Sequence, residues 1–372
     1  MHLGPHAQTR PLIRSLARLI VIASLLAGFL MMGGRSAQGA TGFRFIPSSL
    51  PTSGPTTVEA VACTPETVCE AVGTLSTGKT TIFRSANGGI SWGRQNVPNT
   101  VSDLSSISCP TTERCAAVGG SAANSGTATF TQNKGVTWSP VNLPSGTGLL
   151  SGVACPTALL CTAVGSSKSG KWLILQSSNG GASWSVRFSP TTYGILTGLS
   201  CSTELFCMAI GYMADNTGAE RVAGITTSDG GQRWVQMAAL AEKLHEVHAV
   251  ACNRNVMITT CVVAGQKSAA LGGGIFVSST RGKSWVDRSL GSRLANATSV
   301  DCTSSLNCHL VGATSTGKAA SYFTGNAGTS WDPVTVPSTA SALQGIGCAT
   351  AGRCVAFSQQ QIPTGSPGVY RS

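Results

Sequence analysis

Three observations predict the fold of this chain. Fourteen cysteines fall in seven pairs at a near-constant interval, six turn motifs ending in tryptophan lie between them, and short alternating apolar runs flank every pair. Together they predict an all-β chain: a seven-bladed β-propeller of four-stranded antiparallel blades, closed by an N-terminal strand that completes the last blade. The pairs are Cys63/Cys69, Cys109/Cys115, Cys155/Cys161, Cys201/Cys207, Cys252/Cys261, Cys302/Cys308 and Cys348/Cys354, and the first cysteine recurs after 46, 46, 46, 51, 50 and 46 residues. Five residues separate the cysteines in six pairs and eight in the fifth, with none left over.

Each pair sits between two strand-like runs. Val58 to Cys63 (VEAVAC) and Leu150 to Cys155 (LSGVAC) precede the first cysteine; Cys115-Ala-Ala-Val-Gly119 and Cys207-Met-Ala-Ile-Gly211 follow the second. The period-2 alternation and short length are those of strands. A third strand follows a glycine-containing turn, as at Thr80 to Arg84, and a fourth runs from a tryptophan towards a proline, as from Trp92 to Pro98.

The turn between the third and fourth strands repeats six times. It reads Ser85-Ala-Asn-Gly-Gly-Ile-Ser-Trp92 in the first repeat and Thr227-Ser-Asp-Gly-Gly-Gln-Arg-Trp234 in the fourth; the others end at Trp138, Trp184, Trp285 and Trp331. A side-chain oxygen at the third position can bond the turn's own backbone, glycine supplies positive φ, and the tryptophan packs beneath. The motif resembles the Asp-box of bacterial neuraminidase repeats, Ser-x-Asp-x-Gly-x-Thr-Trp, with Asn replacing Asp in four copies and Thr in one. The resemblance implies a turn-forming element and carries no catalytic residue. The last repeat stops at Gly368-Val-Tyr-Arg-Ser372, a third strand, while Phe43-Arg-Phe-Ile-Pro47 offers a spare fourth strand.

Residues 1–40 read as a signal peptide or an N-terminal anchor: Arg10, Arg14 and Arg18 precede the apolar run Leu19 to Met32, and Ser36 to Ala40 are small. Residues 41–372 form the propeller. Export and even cysteine usage favour disulfides, each cysteine bonded to its near neighbour across a short hairpin, and place the protein outside the cytoplasm, secreted or held by the N-terminal segment. The net charge of +11 includes four arginines of residues 1–40, leaving about +7 spread without a basic tract. Nucleic acid is therefore not an expected partner; a basic exterior favours anionic ones.

Sialidases also carry Asp-boxes, and Phe43-Arg44-Phe45-Ile46-Pro47 is similar to their arginine motif but has an extra phenylalanine, which turns Arg44 to the other strand face. None of Tyr193, Tyr212, Tyr322 and Tyr370 has a nucleophile context. Hydrolysis of a glycoside needs two carboxyls flanking a cleft. Glu59, Glu66, Glu70 and Glu113 fall on or beside the disulfide hairpins, Asp103, Asp215, Glu220, Glu242 and Glu246 towards the opposite face, and no pair stands out. The irregular segment Met237 to Val250 predicts a short helix over Ala238 to Val247, read as a solvated surface helix; the alternative makes Glu242, His245, Glu246 and His248 a cap or metal-binding lip on the ligand face, but His245 and His248 lack a third metal ligand. His309 is expected in the core or the channel. No catalytic, metal-binding or cofactor-binding set is assigned. The chain resembles most the photosystem II stability/assembly factor-like proteins, which implies seven blades and an assembly or binding role. The expected function is a non-catalytic extracytoplasmic binding or scaffold protein, a monomer whose partner is a protein or glycan at the cell surface. A carbohydrate-active hydrolase is the alternative.

Overall fold

The computed structural model describes residues 43–51, 55, 57–121, 123–214, 217–237, 240, 243–253, 259–267, 272–358 and 368–372. Residues 1–40, Asp215 and Glu242 lie outside them. Seven four-stranded antiparallel sheets follow one another along the chain. In the first blade Thr57–Cys63 is innermost, followed outward by Cys69–Thr74, Thr80–Ser85 and Gly93–Gln95. The seventh blade comprises Leu343–Thr350, Arg353–Ser358 and Gly368–Arg371, and its outermost strand is Ile46–Pro47, paired antiparallel with Gly368–Arg371.

The core lies between blades. Seven apolar clusters each join side chains of two adjacent sheets, so every blade buries both faces. This explains second strands that are apolar on both sides, such as the buried run Cys161 to Ser166. The box tryptophans fill these seams: Trp92 between the seventh and first blades, Trp138 between the first and second. In the seventh blade Ile46 pairs with Arg371 as Gly93 pairs with Arg84, so Phe45 stands where the other blades place tryptophan. Phe45 is buried in the seam between the sixth and seventh blades.

The box turns hold themselves together. The Ser85 hydroxyl accepts from the Gly89 N–H at 2.8 Å, and Asn87 Oδ1 accepts from the Ser91 N–H at 3.1 Å. The same two bonds recur in the other five boxes, with Asp229 Oδ1 accepting from the Arg233 N–H and Thr280 Oγ1 from the Ser284 N–H.

All seven cysteine pairs are bonded: Cys63–Cys69, Cys109–Cys115, Cys155–Cys161, Cys201–Cys207, Cys252–Cys261, Cys302–Cys308 and Cys348–Cys354. Their Cα atoms are 4.0–4.1 Å apart, and each bond ties the end of the innermost strand to the start of the second. The pairing expected from the sequence is the one observed, and all fourteen cysteines are buried. Cys308 shows why. It opens the strand Cys308–Ala313, lies opposite Cys302 on one side and Thr324 on the other, and packs into the seam between the fifth and sixth blades. Cys69, Cys115, Cys161, Cys207, Cys261 and Cys354 hold the same position in their blades and are equally covered. The hairpins reach the surface, but their sulfurs are core.

The expected helix over Ala238 to Val247 is not formed across its described part. Among the described residues the Leu244 N–H bonds the Leu240 carbonyl, and Glu246–Cys252 is already the innermost strand of the fifth blade. Leu240 and Leu244 are four apart and both buried, which gives helical spacing, but each anchors in the seam between the fourth and fifth blades. Pairing with Cys261–Gln266 then takes the β-branched residues that follow.

Candidate functional site

The seven innermost strands surround a channel of about 360 Å³. Every innermost strand carries a one-residue bulge at the same place, four residues before its cysteine. The bulged residues are Glu59, Ser105, Ser151, Thr197, His248, Thr298 and Gln344, skipped in the pairing with the second strand. All seven line the channel and all seven are polar. A bulge leaves one residue without a ladder partner and re-aims its side chain. Opposite the bulge, six blades place glycine: Gly73, Gly119, Gly165, Gly211, Gly265 and Gly312, where a Cβ would fall on the carbonyl oxygen before the bulged segment. The bulges stand at the end of the channel away from the disulfides, so Glu59 belongs to this ring and not to the disulfide hairpin beside which the sequence placed it.

Below this ring the blades alternate. The residue before the first cysteine is Ala62, Ser108, Ala154, Ser200, Ala251, Asp301 and Gly347 in turn. The even-numbered blades supply acceptors to the next blade's edge: Ser108 Oγ accepts from the Cys155 N–H at 3.0 Å, Ser200 Oγ from the Cys252 N–H at 2.9 Å, and Asp301 Oδ2 from the Cys348 N–H at 2.7 Å. Ser106 and Ser299 do the same one level up, to Val153 and Ile346. These bonds satisfy backbone donors that an innermost strand would otherwise turn unpaired towards the channel.

The hairpins around the bulge end carry cations. Lys79, Lys171, Arg221 and Lys318 occupy the same position, six residues before the box's first residue, in the first, third, fourth and sixth blades. Three of these hairpins share one geometry, with Gly78, Gly170 and Gly317 at φ of 72–75°. Lys171 also lies 5.3 Å from the Tyr193 ring centre.

The residues singled out from the sequence are only partly brought together. His248 is in the bulge ring, its Nδ1 facing the Ala297 carbonyl oxygen at 3.0 Å and its Nε2 facing the Glu246 carboxylate at 3.2 Å. His245 is exposed and uses its backbone N–H to bond Gln266 O; Glu242 is outside the described residues. Arg44 is exposed and bridges Thr335 at the exit of the sixth blade. Among the described residues, the one cluster with metal-ligand chemistry is His309 with Cys348 and Cys354, whose sulfurs are bonded to each other and so cannot act as thiolates. Cys308, next to His309 in the chain, is likewise spent in its bond to Cys302.

Two buried ionisable groups went unrecognised as a pair. Glu70 and His309 both directly follow the second cysteine of a blade and both lie in a seam. Burial pushes Glu70 up to about 7 against the opposing pull of Arg84, whose Nη1 donates to Oε1 at 2.6 Å. Burial holds His309 down at about 4, although its Nε2 bonds the Ala351 carbonyl oxygen at 2.6 Å.

No family model matches the chain, and no curated protein does. Solved structures do. YCF48 bound to D1 peptide superposes with a TM-score of 0.60 at 16% identity, covering 88% of this chain and 94% of that one. YCF48 from Cyanidioschyzon merolae gives 0.60 at 14% identity, covering 88% and 98%. The GH74 xyloglucanase from Xanthomonas campestris gives 0.57 at 12% identity, covering 88% of this chain and 55% of that one. Likeness at these identities is likeness of fold, and it places the chain among seven-bladed β-propellers.

Proposed function

We propose that the chain is a non-catalytic binding propeller that works outside the cytoplasm and holds an acidic segment of a partner protein at the bulge end of the channel. The observation that carries this reading is the ring of seven polar bulge residues, surrounded by Lys79, Lys171, Arg221 and Lys318 in equivalent hairpins. Seven disulfides fit an oxidising compartment. The YCF48 structure holds a peptide, which supports a peptide-type partner for a propeller of this shape. For hydrolysis, a raised carboxyl would have to face a cleft beside a second one. Glu70 has the raised value, but it is fully buried in a seam and bonded to Arg84.

Fluorescence anisotropy with a labelled Glu- and Asp-rich decapeptide tests the proposal. Saturable binding is expected, weakening with salt and by tenfold or more in the combined Lys79→Glu, Lys171→Glu, Lys318→Glu variant. Release of reducing sugar from xyloglucan, or binding indifferent to the triple variant, would refute it.

A further inference from the structure

We infer that the disulfide-bearing face of the propeller docks on a lipid bilayer. The distribution of exposed apolar side chains is one-sided. Among the described residues Ile90, Val136, Leu159, Leu205 and Leu306 are large, apolar and 49–71% exposed, and all five stand on disulfide hairpins or box turns. Val186, Val235 and Val286, just beyond three box tryptophans, extend the same side at the rim. On the opposite face, among the described residues, Tyr193 alone is of this kind.

Repeat symmetry sorts these tips into two sets. Leu159, Leu205 and Leu306 are each the fourth residue after the first cysteine of their blade, and Ile90 and Val136 each follow the second glycine position of their box. Equivalent positions in a propeller stand at equal height, so the hairpin tips of the third, fourth and sixth blades share one level around the channel, and the box tips of the first and second blades share another. A bilayer surface can receive such separate tips at the same time.

The chain itself arrives on this side. Phe43, the first described residue, packs over Gly352 in the seventh blade's disulfide hairpin and edge-on to His309. The sequence before Phe43 includes the apolar run Leu19 to Met32. Ten residues separate that run from Phe43 and reach about 35 Å when fully extended. This inference is independent of the peptide-binding reading, which concerns the other face.

Flotation of the full chain with phosphatidylcholine vesicles, joined to hydrogen exchange, tests it. The wild type is expected to float. A variant with Val136, Leu159, Leu205 and Leu306 all changed to Ser, matched in thermal transition, is expected to partition at least tenfold less. Vesicles are expected to slow exchange at the disulfide hairpins and box turns and not at the hairpins of Lys79, Lys171 and Lys318. Equal flotation of the two proteins would overturn the inference, since the N-terminal segment alone would then account for binding. So would protection confined to the lysine hairpins, or no flotation of the wild type. If the fourfold variant does not fold, the exchange pattern of the wild type decides.

Discussion

The seam between the first and second blades and the seam between the sixth and seventh solve one problem with opposite chemistry. In both, the residue after the second cysteine is ionisable and buried. The first seam keeps a charge and partners it: Glu70 meets Arg84, and Arg84 reaches the Thr112 carbonyl of the second blade. Gln95 links the same blades by accepting from the Trp138 indole N–H at 2.7 Å. The other seam removes the charge. His309 lies between Phe43 and Phe323, with ring centres 5.8 and 4.8 Å away, and its Nδ1 has no bonding partner. The remaining blades place Ala116, Thr162, Met208, Val262 and Val355 at this position. The lesson is that one aligned position in the fold tolerates either solution.

The largest expected effect comes from making the first solution incomplete. Arg84→Met strands the Glu70 carboxylate in the seam and is expected to cost about 3–5 kcal/mol near pH 8, read from the denaturant midpoint. The cost should shrink towards pH 5, where Glu70 is protonated. If the loss is the same at both pH values, Glu70 is not the group responsible.

Next comes the pH dependence of the intact protein. Glu70 titrates near 7 when folded and near 4.5 when unfolded, so between these values the unfolded chain releases its proton first and stability falls as pH rises. His309 titrates near 4 when folded and near 6.5 when unfolded, so in that window acidification protonates the unfolded chain first and stability falls as pH falls. Each shift corresponds to about 3 kcal/mol. Between pH 4.5 and 6.5 the two oppose, and their joint contribution is expected to be nearly flat. Glu70→Gln should unmask a loss on acidification, and His309→Gln the reverse. Parallel profiles for the two variants would show that the seams are not the opposing pair described.

Phe43→Ala should follow, at about 2–3 kcal/mol, because the ring seals His309 and fills space near Phe323. NMR titration should find the His309 pKa raised towards its ordinary value in this variant; an unchanged pKa would mean that Phe323 and Ala351 suffice. The smallest effect is expected in the channel. Asp301→Ala should cost about 1–2 kcal/mol by leaving the Cys348 N–H unpaired, whereas Ala62→Ser in the first blade should change stability by less than about 0.5 kcal/mol.

Much of the architecture was legible because cysteine is a position marker as well as a staple. The interval of 46 residues and the box tryptophans located every sheet. The bulge ring was equally visible, as a polar residue four places before each first cysteine, but an alternating strand pattern hides a one-residue insertion until the partner strand is known. Glu70 and His309 fall at one aligned position, yet burial in a seam is decided by the next blade, which no local pattern reports. The depth of Cys308 and its counterparts was hidden for the same reason. The segment from Met237 to Val250 misled in a related way: the spacing of Leu240 and Leu244 reflects anchorage between two blades rather than a helix face.

The alternation of acceptors along the channel has a consequence of parity. The second blade is laced to the third, the fourth to the fifth and the sixth to the seventh by Ser108, Ser200 and Asp301. Seven cannot be divided into couples. The first blade is the odd one, flanked in this layer by Gly347 on one side and offering only Ala62 on the other, side chains with nothing to donate or accept. In this layer the first blade is laced to neither neighbour, so its joint with the second rests on Arg84 to Thr112 and on Trp138 to Gln95, and native-state exchange of the Arg84→Met variant should find the first blade parting before any couple divides.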